Sequence, residues 1–389
     1  MAIALFRISQ FPTLSWIFFG LIIFSMVATV LISTSSHLQW IGESDKLSGD
    51  VYHSSKVFGM DYAEMERKFK VYVYPEDEED DDRHQITNTI SGKYASEGFF
   101  FKNIRESGFL THDSTQLPHL FFIPISCHKL HHKVSSYKEI ASIVGKYVGG
   151  LIQRYPYWNR SLGADHFFLT CHDIDVGATQ QVPFLVKNSI RVVCSPSYAT
   201  AGFIPHKDVS LPLVMQPFTK ARNDMHKRTI LGYWAGISSS HTRKQLVNLW
   251  EGDEELDIQN STAYYGRMRK FYSAKFCICP VGSRLTTNRI TMAIHYGCVP
   301  VILADYFDLP FNDILDWRKF SVILNESNVH DLKHILKAKA GGADYRMLHD
   351  NLLKVQRHFR WNTPPVKYDT FHMVLYELWL RRNVIRYYS

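Results

Sequence analysis

Arg284 and Arg289 stand five positions apart around a turn in residues 275–303, KFCICPVGSRLTTNRITMAIHYGCVPVIL. Pro280 stops the strand before the turn, and Gly282 permits an unusual backbone there. Thr287 or Asn288 can cap the helix that follows, and Gly297 can end it. Unpaired N–H groups at a helix start attract anions, and arginine adds charge-assisted bonds that suit a diphosphate. Gly282, Ser283, Arg284 and Arg289 are therefore candidate diphosphate ligands, in a strand–turn–helix unit of a kind that many unrelated folds contain. A second loop, residues 236–243, offers Ser238, His241, Arg243 and, just beyond, Lys244 for the same task. Its ordinary reading is a serine-rich helix start.

Activating a hydroxyl group needs a base that titrates near neutrality, which favours histidine or a partly buried carboxylate. His172 and Asp173 follow the apolar run HFFLTC. Asp173 is the candidate base or base-orienting group, with His172 beside it; a structural pair closing a strand end is an equally good reading. Asp173-Ile174-Asp175 also spells two carboxylates that can hold a divalent cation through oxygen. Loss of activity in chelator would mark that alternative. Cys127-His128-Lys129-Leu130-His131-His132 is metal-like in composition, but its spacing suits no standard zinc site and reads as a polar loop. No metal site is assigned.

The elements that must position these residues alternate. Residues 69–74, 119–125, 166–171 and 190–194 are continuous apolar strands, and 137–155 carries helical spacing at Ile140, Ile143, Val144, Tyr147, Val148, Leu151 and Ile152. A second series begins at Ile230: strand 230–234, a helix near 243–250, strand 276–279, a helix, and strand 299–303. Continuous apolar strands separated by helices predict parallel sheets covered on both faces. Two such α/β domains facing a cleft place ligands beyond the strand carboxyl ends. Residues 368–387 predict a final helix with Phe371, Val374, Leu375, Leu378 and Trp379 on one face.

Composition bounds the rest. The 44 Lys and Arg residues against 37 Asp and Glu are scattered, with no basic arm or stripe, so nucleic acid is excluded as a partner. Residues 14–32, LSWIFFGLIIFSMVATVLI, carry no charge. As a helix they reach ~28 Å, close to the bilayer core, and exceed the ~7–15 apolar residues of a cleaved signal peptide. Arg7 before the span, and Glu43 and Asp45 after it, place the amino terminus in the cytosol. The remainder then faces a lumen. Asn159, Asn260 and Asn325 each open an N-x-S/T triplet. Six cysteines follow the span and allow 15 pairings, among which the sequence does not choose.

The wording of Phe276-Cys277-Ile278-Cys279-Pro280, Gly297-Cys298-Val299-Pro300-Val301-Ile302, Leu309-Pro310-Phe311 and Asp316-Trp317 resembles the exostosin-like glycosyltransferases, in particular the plant members. Gly163-Ala164-Asp165-His166-Phe167-Phe168, His172-Asp173, Cys194-Ser195-Pro196 and Gln356-Arg357-His358-Phe359 carry the same likeness from about Phe69 to the carboxyl end. The resemblance implies a GT-B fold of two Rossmann-like domains behind a single transmembrane helix. It implies a cytosolic tail (1–13), a signal-anchor (14–32), a stem (33–65), an acceptor domain (66–225), a nucleotide-sugar domain (226–360) and a C-terminal helix (361–389). It further implies a type II Golgi membrane glycoprotein. Such an enzyme moves a sugar, with inversion and without metal or other cofactor, from a UDP-sugar to a cell-wall glycan, in some cases in complex with other transferases. Tyr155, Tyr157, Trp158 and Tyr198 are aromatics of a kind that stacks on sugar rings, but most aromatics in so rich a chain are core, and no acceptor site is assigned. At Met292 the family pattern has Glu or Asp, which accepts hydrogen bonds from the ribose hydroxyls; methionine cannot. The alternative this leaves is a catalytically impaired member acting as a scaffold for an active transferase.

Overall fold

The computed structural model describes residues 51–75, 95–111, 118–126, 130, 134, 136–171, 173–194, 196–198, 202–214, 224–261, 267–280 and 287–385. The apolar span 14–32 lies outside these residues, and none of the described helices is long and apolar enough to cross a membrane.

Two parallel five-stranded sheets organise the chain. The first contains β1 (Val71–Val73), β2 (Leu120–Phe122), β3 (His166–Thr170), β4 (Ile190–Val193) and β5 (Val209–Ser210), in sequence order across the sheet. All four pairings are parallel. Side chains alternate between its two faces, and each face has its own cover. Phe121, Ile123 and Phe168 pack with Ile140, Val144 and Val148 of helix α1 (Tyr137–Arg154). Phe122 and Phe167 stack at 4.9 Å on the other face. Phe100 of helix α2 (Ala95–Glu106) meets both at 5.6 and 6.1 Å.

Phe100 also meets Phe371, which belongs to the last helix, α3 (Thr370–Arg381). Trp379 of α3 packs on Phe69 and His119. The chain therefore ends by returning to the first sheet. That return explains why α3 is buried nearly all round, including Met373, Tyr376 and Glu377, rather than on the single face its pattern predicts.

The second sheet runs β10–β9–β8–β6–β7, again all parallel. Its strands are β6 (Ile230–Gly236), β7 (Leu256–Asn260), β8 (Ala274–Pro280), β9 (Val299–Leu303) and β10 (Val322–Leu324). Helices α4 (His241–Trp250) and α5 (Thr287–His295) follow β6 and β8. The structure thus has the expected α/β class with two parallel sheets.

Part of the segment 33–65 expected as a stem packs into the fold, and residues 33–50 lie outside the described residues. Val51 and Tyr52 are buried, with Asp316 N–H donating to Val51 O at 2.9 Å, and Tyr62 and Met65 are fully buried. The polar residues between them hide this from a composition reading.

Two buried groups set a pH dependence. Tyr52 Oη donates to His358 Nε2 at 2.8 Å, and His358 Nδ1 donates to Tyr368 O at 2.8 Å, which fixes a neutral ring. Burial, helped by Arg357, pushes His358 down from 6.5 to about 3. Burial pushes the Glu377 carboxyl up from 4.5 to about 8, against the pull of Arg381 and with the push of Asp313 and Asp308. The folded state holds the extra proton at Glu377, so that contribution is full below 4.5 and lost as pH rises through 8. The folded state lacks the proton at His358, so that contribution is present above 6.5 and lost as pH falls through 3. Stability should therefore be flattest between 4.5 and 6.5, where the two slopes oppose, and fall on either side. Urea midpoints across pH check this. Glu377→Gln should remove the decline above 6.5, and an unchanged decline would show that another group causes it.

Candidate active site

The segments that leave the carboxyl ends of β4 and β9 meet. The segment after β4 is stitched to the segment after β9 by an antiparallel bridge between Ser197 and Phe307. Tyr198 N–H donates to Tyr306 O at 3.2 Å and Asp308 N–H to Pro196 O at 3.1 Å. The pairing brings the carboxyl ends of β4 and β9 near each other, and α/β folds bind ligands beyond such strand ends.

On the second sheet two arginines converge on the end of β8. Arg289, in the first turn of α5, donates from Nη2 to Ala235 O at 2.6 Å and lies 5.7 Å from the Trp234 ring centroid. Gly236 makes the approach possible: a Cβ there would sit 3.0 Å from the Trp234 ring and 3.2 Å from Arg289 Nη2. Ser240 caps α4 by accepting from Arg243 N–H at 3.3 Å, which sets the arginine in the first turn. Arg243 Nη1 donates to Ser239 Oγ at 3.3 Å and Nη2 reaches Pro280 O at 3.5 Å.

Both arginines act on the Cys279 thiol between them. Burial pushes it up to about 12, and Arg289 and Arg243 pull against that. Arg243 has no carboxylate partner among the described residues, and its buried Nε has no hydrogen-bond partner there. Burial pulls its pKa below the usual arginine value, as expected of a desolvated cation lacking a counter-ion. Such a pair of forks at two helix starts is complementary to a dianionic group.

A model of the exostosin GT47 domain matches residues 65–339. The chain belongs to the exostosin GT47 family. It is a glycosyltransferase, and plant proteins are among its relatives. One, a probable glycosyltransferase of Arabidopsis thaliana, is 35% identical over 355 residues, covering 86% of this chain and 66% of the relative. The chain thus spans just under two thirds of that relative's length. A second from the same plant is 36% identical over 369 residues, covering 90% and 76%. A probable glucuronoxylan glucuronosyltransferase of Arabidopsis thaliana is 25% identical over 354 residues, covering 80% and 72%. A solved glycosyltransferase from Rickettsia africae overlays at a TM-score of 0.37 with 10% identity, covering 82% of this chain and 98% of that one, too loosely to bear on function.

Of the residues proposed from sequence for this GT47 enzyme, Arg243 and Arg289 are brought together at the end of β8. Met292 lies three residues after Arg289 on α5, half-buried, so the two share a helix face. Gly282, Ser283 and Arg284 lie outside the described residues, as do His172 and the cluster 127–129 and 131–133. Asp173 begins a short helix (Asp173–Thr179) directly beyond β3, at the cleft end of the first sheet; the side chains of Asp173 and Asp175 are outside the described set. Among the described residues no group of three or more His, Cys, Asp or Glu could hold a metal ion.

The disulfides left open by sequence are Cys171–Cys194 and Cys277–Cys298. The first joins the carboxyl ends of β3 and β4 beside Asp173, holding that part of the cleft rim. Tyr155, Tyr157 and Trp158 are not surface platforms: they pack on Tyr74, Phe121 and His166 at 5.3, 4.8 and 4.9 Å. Tyr198 alone of the four faces outward at 40% exposure, and it donates to Asp308 Oδ1 at 2.5 Å. Sequence reading passed over Trp234, Tyr306 and Asp308; the available signal was their place at the carboxyl ends of β6 and β9.

Proposed function

We propose that this glycosyltransferase binds a UDP-sugar with its diphosphate between Arg243 and Arg289, together with Gly282, Ser283 and Arg284, which precede α5 in sequence. The carrying observation is Arg243, a largely desolvated cation with no carboxylate partner among the described residues. The arrangement is read as GT-B, with the nucleotide-sugar on the second sheet (226–360) and the acceptor on the first (66–225).

The reaction is an inverting transfer without metal. The acceptor hydroxyl oxygen attacks the anomeric carbon from the face opposite the diphosphate, the carbon–oxygen bond to the diphosphate breaks, and UDP leaves with the electron pair. Asp173, with His172 beside it, takes the hydroxyl proton. A cell-wall glycan is the acceptor this reading favours, since relatives include a probable glucuronoxylan glucuronosyltransferase and a probable beta-1,4-xylosyltransferase.

Residues 14–32 anchor the chain as a type II Golgi protein, with the catalytic part in the lumen. Two disulfides suit an oxidising compartment, and Asn159, Asn260 and Asn325 are all exposed. Met292 leaves the ribose without a carboxylate partner at that position; nothing else favours the scaffold alternative.

Incubating full-length protein in detergent with a panel of UDP-sugars and xylan oligosaccharides, in chelator, tests the reading. Mass spectrometry should find products one sugar heavier, and Asp173→Asn should slow their formation by about 10²–10⁴-fold. No product from any donor would defeat the proposal, and product only after adding Mn²⁺ would replace it with the metal-dependent mechanism.

A further inference from the structure

A cavity of about 230 Å³ lies where the two sheets' connecting segments meet the last helix. Its walls come from three parts of the chain: Tyr198 and Phe203 after β4, Asp308 and Phe311 after β9, and Glu377 and Arg381 on α3. It is separate from the arginine pair, and its chemistry is opposite in sign. Arg381 Nη1 pairs with Asp313 at 2.8 Å and with Glu377 at 2.9 Å, while among the described residues the Asp308 carboxylate accepts a hydrogen bond from the Tyr198 hydroxyl alone, at 2.5 Å. Three carboxyl groups, Asp308, Asp313 and Glu377, face one guanidinium in this lining, a setting that disfavours a diphosphate.

We propose that this cavity is an acceptor subsite that takes one uncharged sugar ring, recognised through its hydroxyl groups. The inference rests on the transferase reading above and adds to it a place for the acceptor. Concave sites with convergent polar groups are the usual form of a small-molecule site, and the lining here is mainly polar, with Phe203, Pro205 and Phe311 as its apolar part. This one is smaller than the ~300–1,000 Å³ that encloses a drug-sized ligand, so it fits a single ring rather than a chain. Tyr198 and Phe203 offer aromatic faces, their centroids 5.9 Å apart.

The polar groups match the donors and acceptors of a polyol. Asp308 Oδ2 is an acceptor with no partner among the described residues, since Tyr198 uses Oδ1. Arg381 backs the lining, 8% exposed, with its Nε buried and without a hydrogen-bond partner among the described residues. The Glu377 carboxyl, kept protonated by its burial, bonds to Asp313 and Arg381 behind this lining and holds them in place. His206 stands exposed at the rim. Because the walls come from both sheets, a bound sugar would also bridge them.

Saturation-transfer NMR on full-length protein in detergent tests this, with D-xylose, D-galactose and D-glucose as neutral probes and D-glucuronate as the anionic one. Calorimetric UDP binding is followed in parallel. The expected result is saturation of neutral sugars but not of glucuronate. Asp308→Asn and Tyr198→Ala should each weaken the neutral sugars about tenfold or more, Tyr198→Phe should keep them, and UDP affinity should not change. The subsite is overturned if both weakening variants bind neutral sugars as the wild type does, if glucuronate binds equally well, or if the wild type takes UDP but no sugar. Failure of UDP to bind the wild type is a separate outcome that defeats the donor assignment and leaves the sugar result to stand or fall by itself.

Discussion

Asp208→Asn should destabilise the fold by about 3–5 kcal/mol, the cost of removing one partner from a buried ion pair. Asp208 is fully buried and gathers five donors: Arg191 N, Nε and Nη2 at 3.0, 3.2 and 2.8 Å, Lys207 Nζ at 2.5 Å and Ile204 N at 3.0 Å. Arg191 sits inside the first sheet, on β4 next to the edge strand β5, at 1% exposure. Without the carboxylate its guanidinium would be a buried charge with little to balance it. Lys207 would lose the group that opposes its desolvation, which already pulls its pKa down. The Asp208 carbonyl also receives Arg381 Nη2 of α3 at 3.1 Å, so the damage reaches the helix that closes the sheet. Thermal melting should show a drop of several degrees; an unchanged melting temperature would mean that Arg191 finds another partner.

Arg289→Ala should act on ligand rather than on fold. Each charge-assisted bond to a phosphate is worth about 1.5–3 kcal/mol, so UDP affinity should fall roughly ten- to a hundredfold. Among the structural contacts it gives up, the bond to Ala235 O is worth about 1 kcal/mol. A loss of affinity much larger than the loss of stability separates the two roles. Arg289→Lys should recover part of the affinity, because the charge remains while the planar fork is lost. Equal affinity in wild type and Arg289→Ala would remove Arg289 from the donor site.

Central strands were legible because they are apolar on both faces: residues 299–303 read as a strand and form β9 with the same bounds. Edge strands were not. β7 has two exposed residues of its five, and β10 has three residues with Ile323 exposed, so neither shows a continuous apolar run. Helix α2 was missed for a related reason. Phe99, Phe100 and Phe101 form a run with no helical spacing, and all three are buried because neighbours cover that helix from several sides. At the site, Arg243 and Arg289 could be named from their turns, because local chemistry sets a helix start. Their convergence over Cys279 depends on β6 and β8 lying side by side, which is a property of topology. Asp308 and Arg381 are 73 residues apart in sequence and meet only through the return of α3.

Titration of full-length protein in detergent with UDP, in chelator and by calorimetry, tests the central claim most directly. Saturable binding without metal, weakened ten- to a hundredfold by Arg289→Ala, is the result predicted from the paired arginines. Absence of binding in chelator, or binding indifferent to both Arg289→Ala and Arg243→Ala, would contradict it and move the donor away from the end of β8.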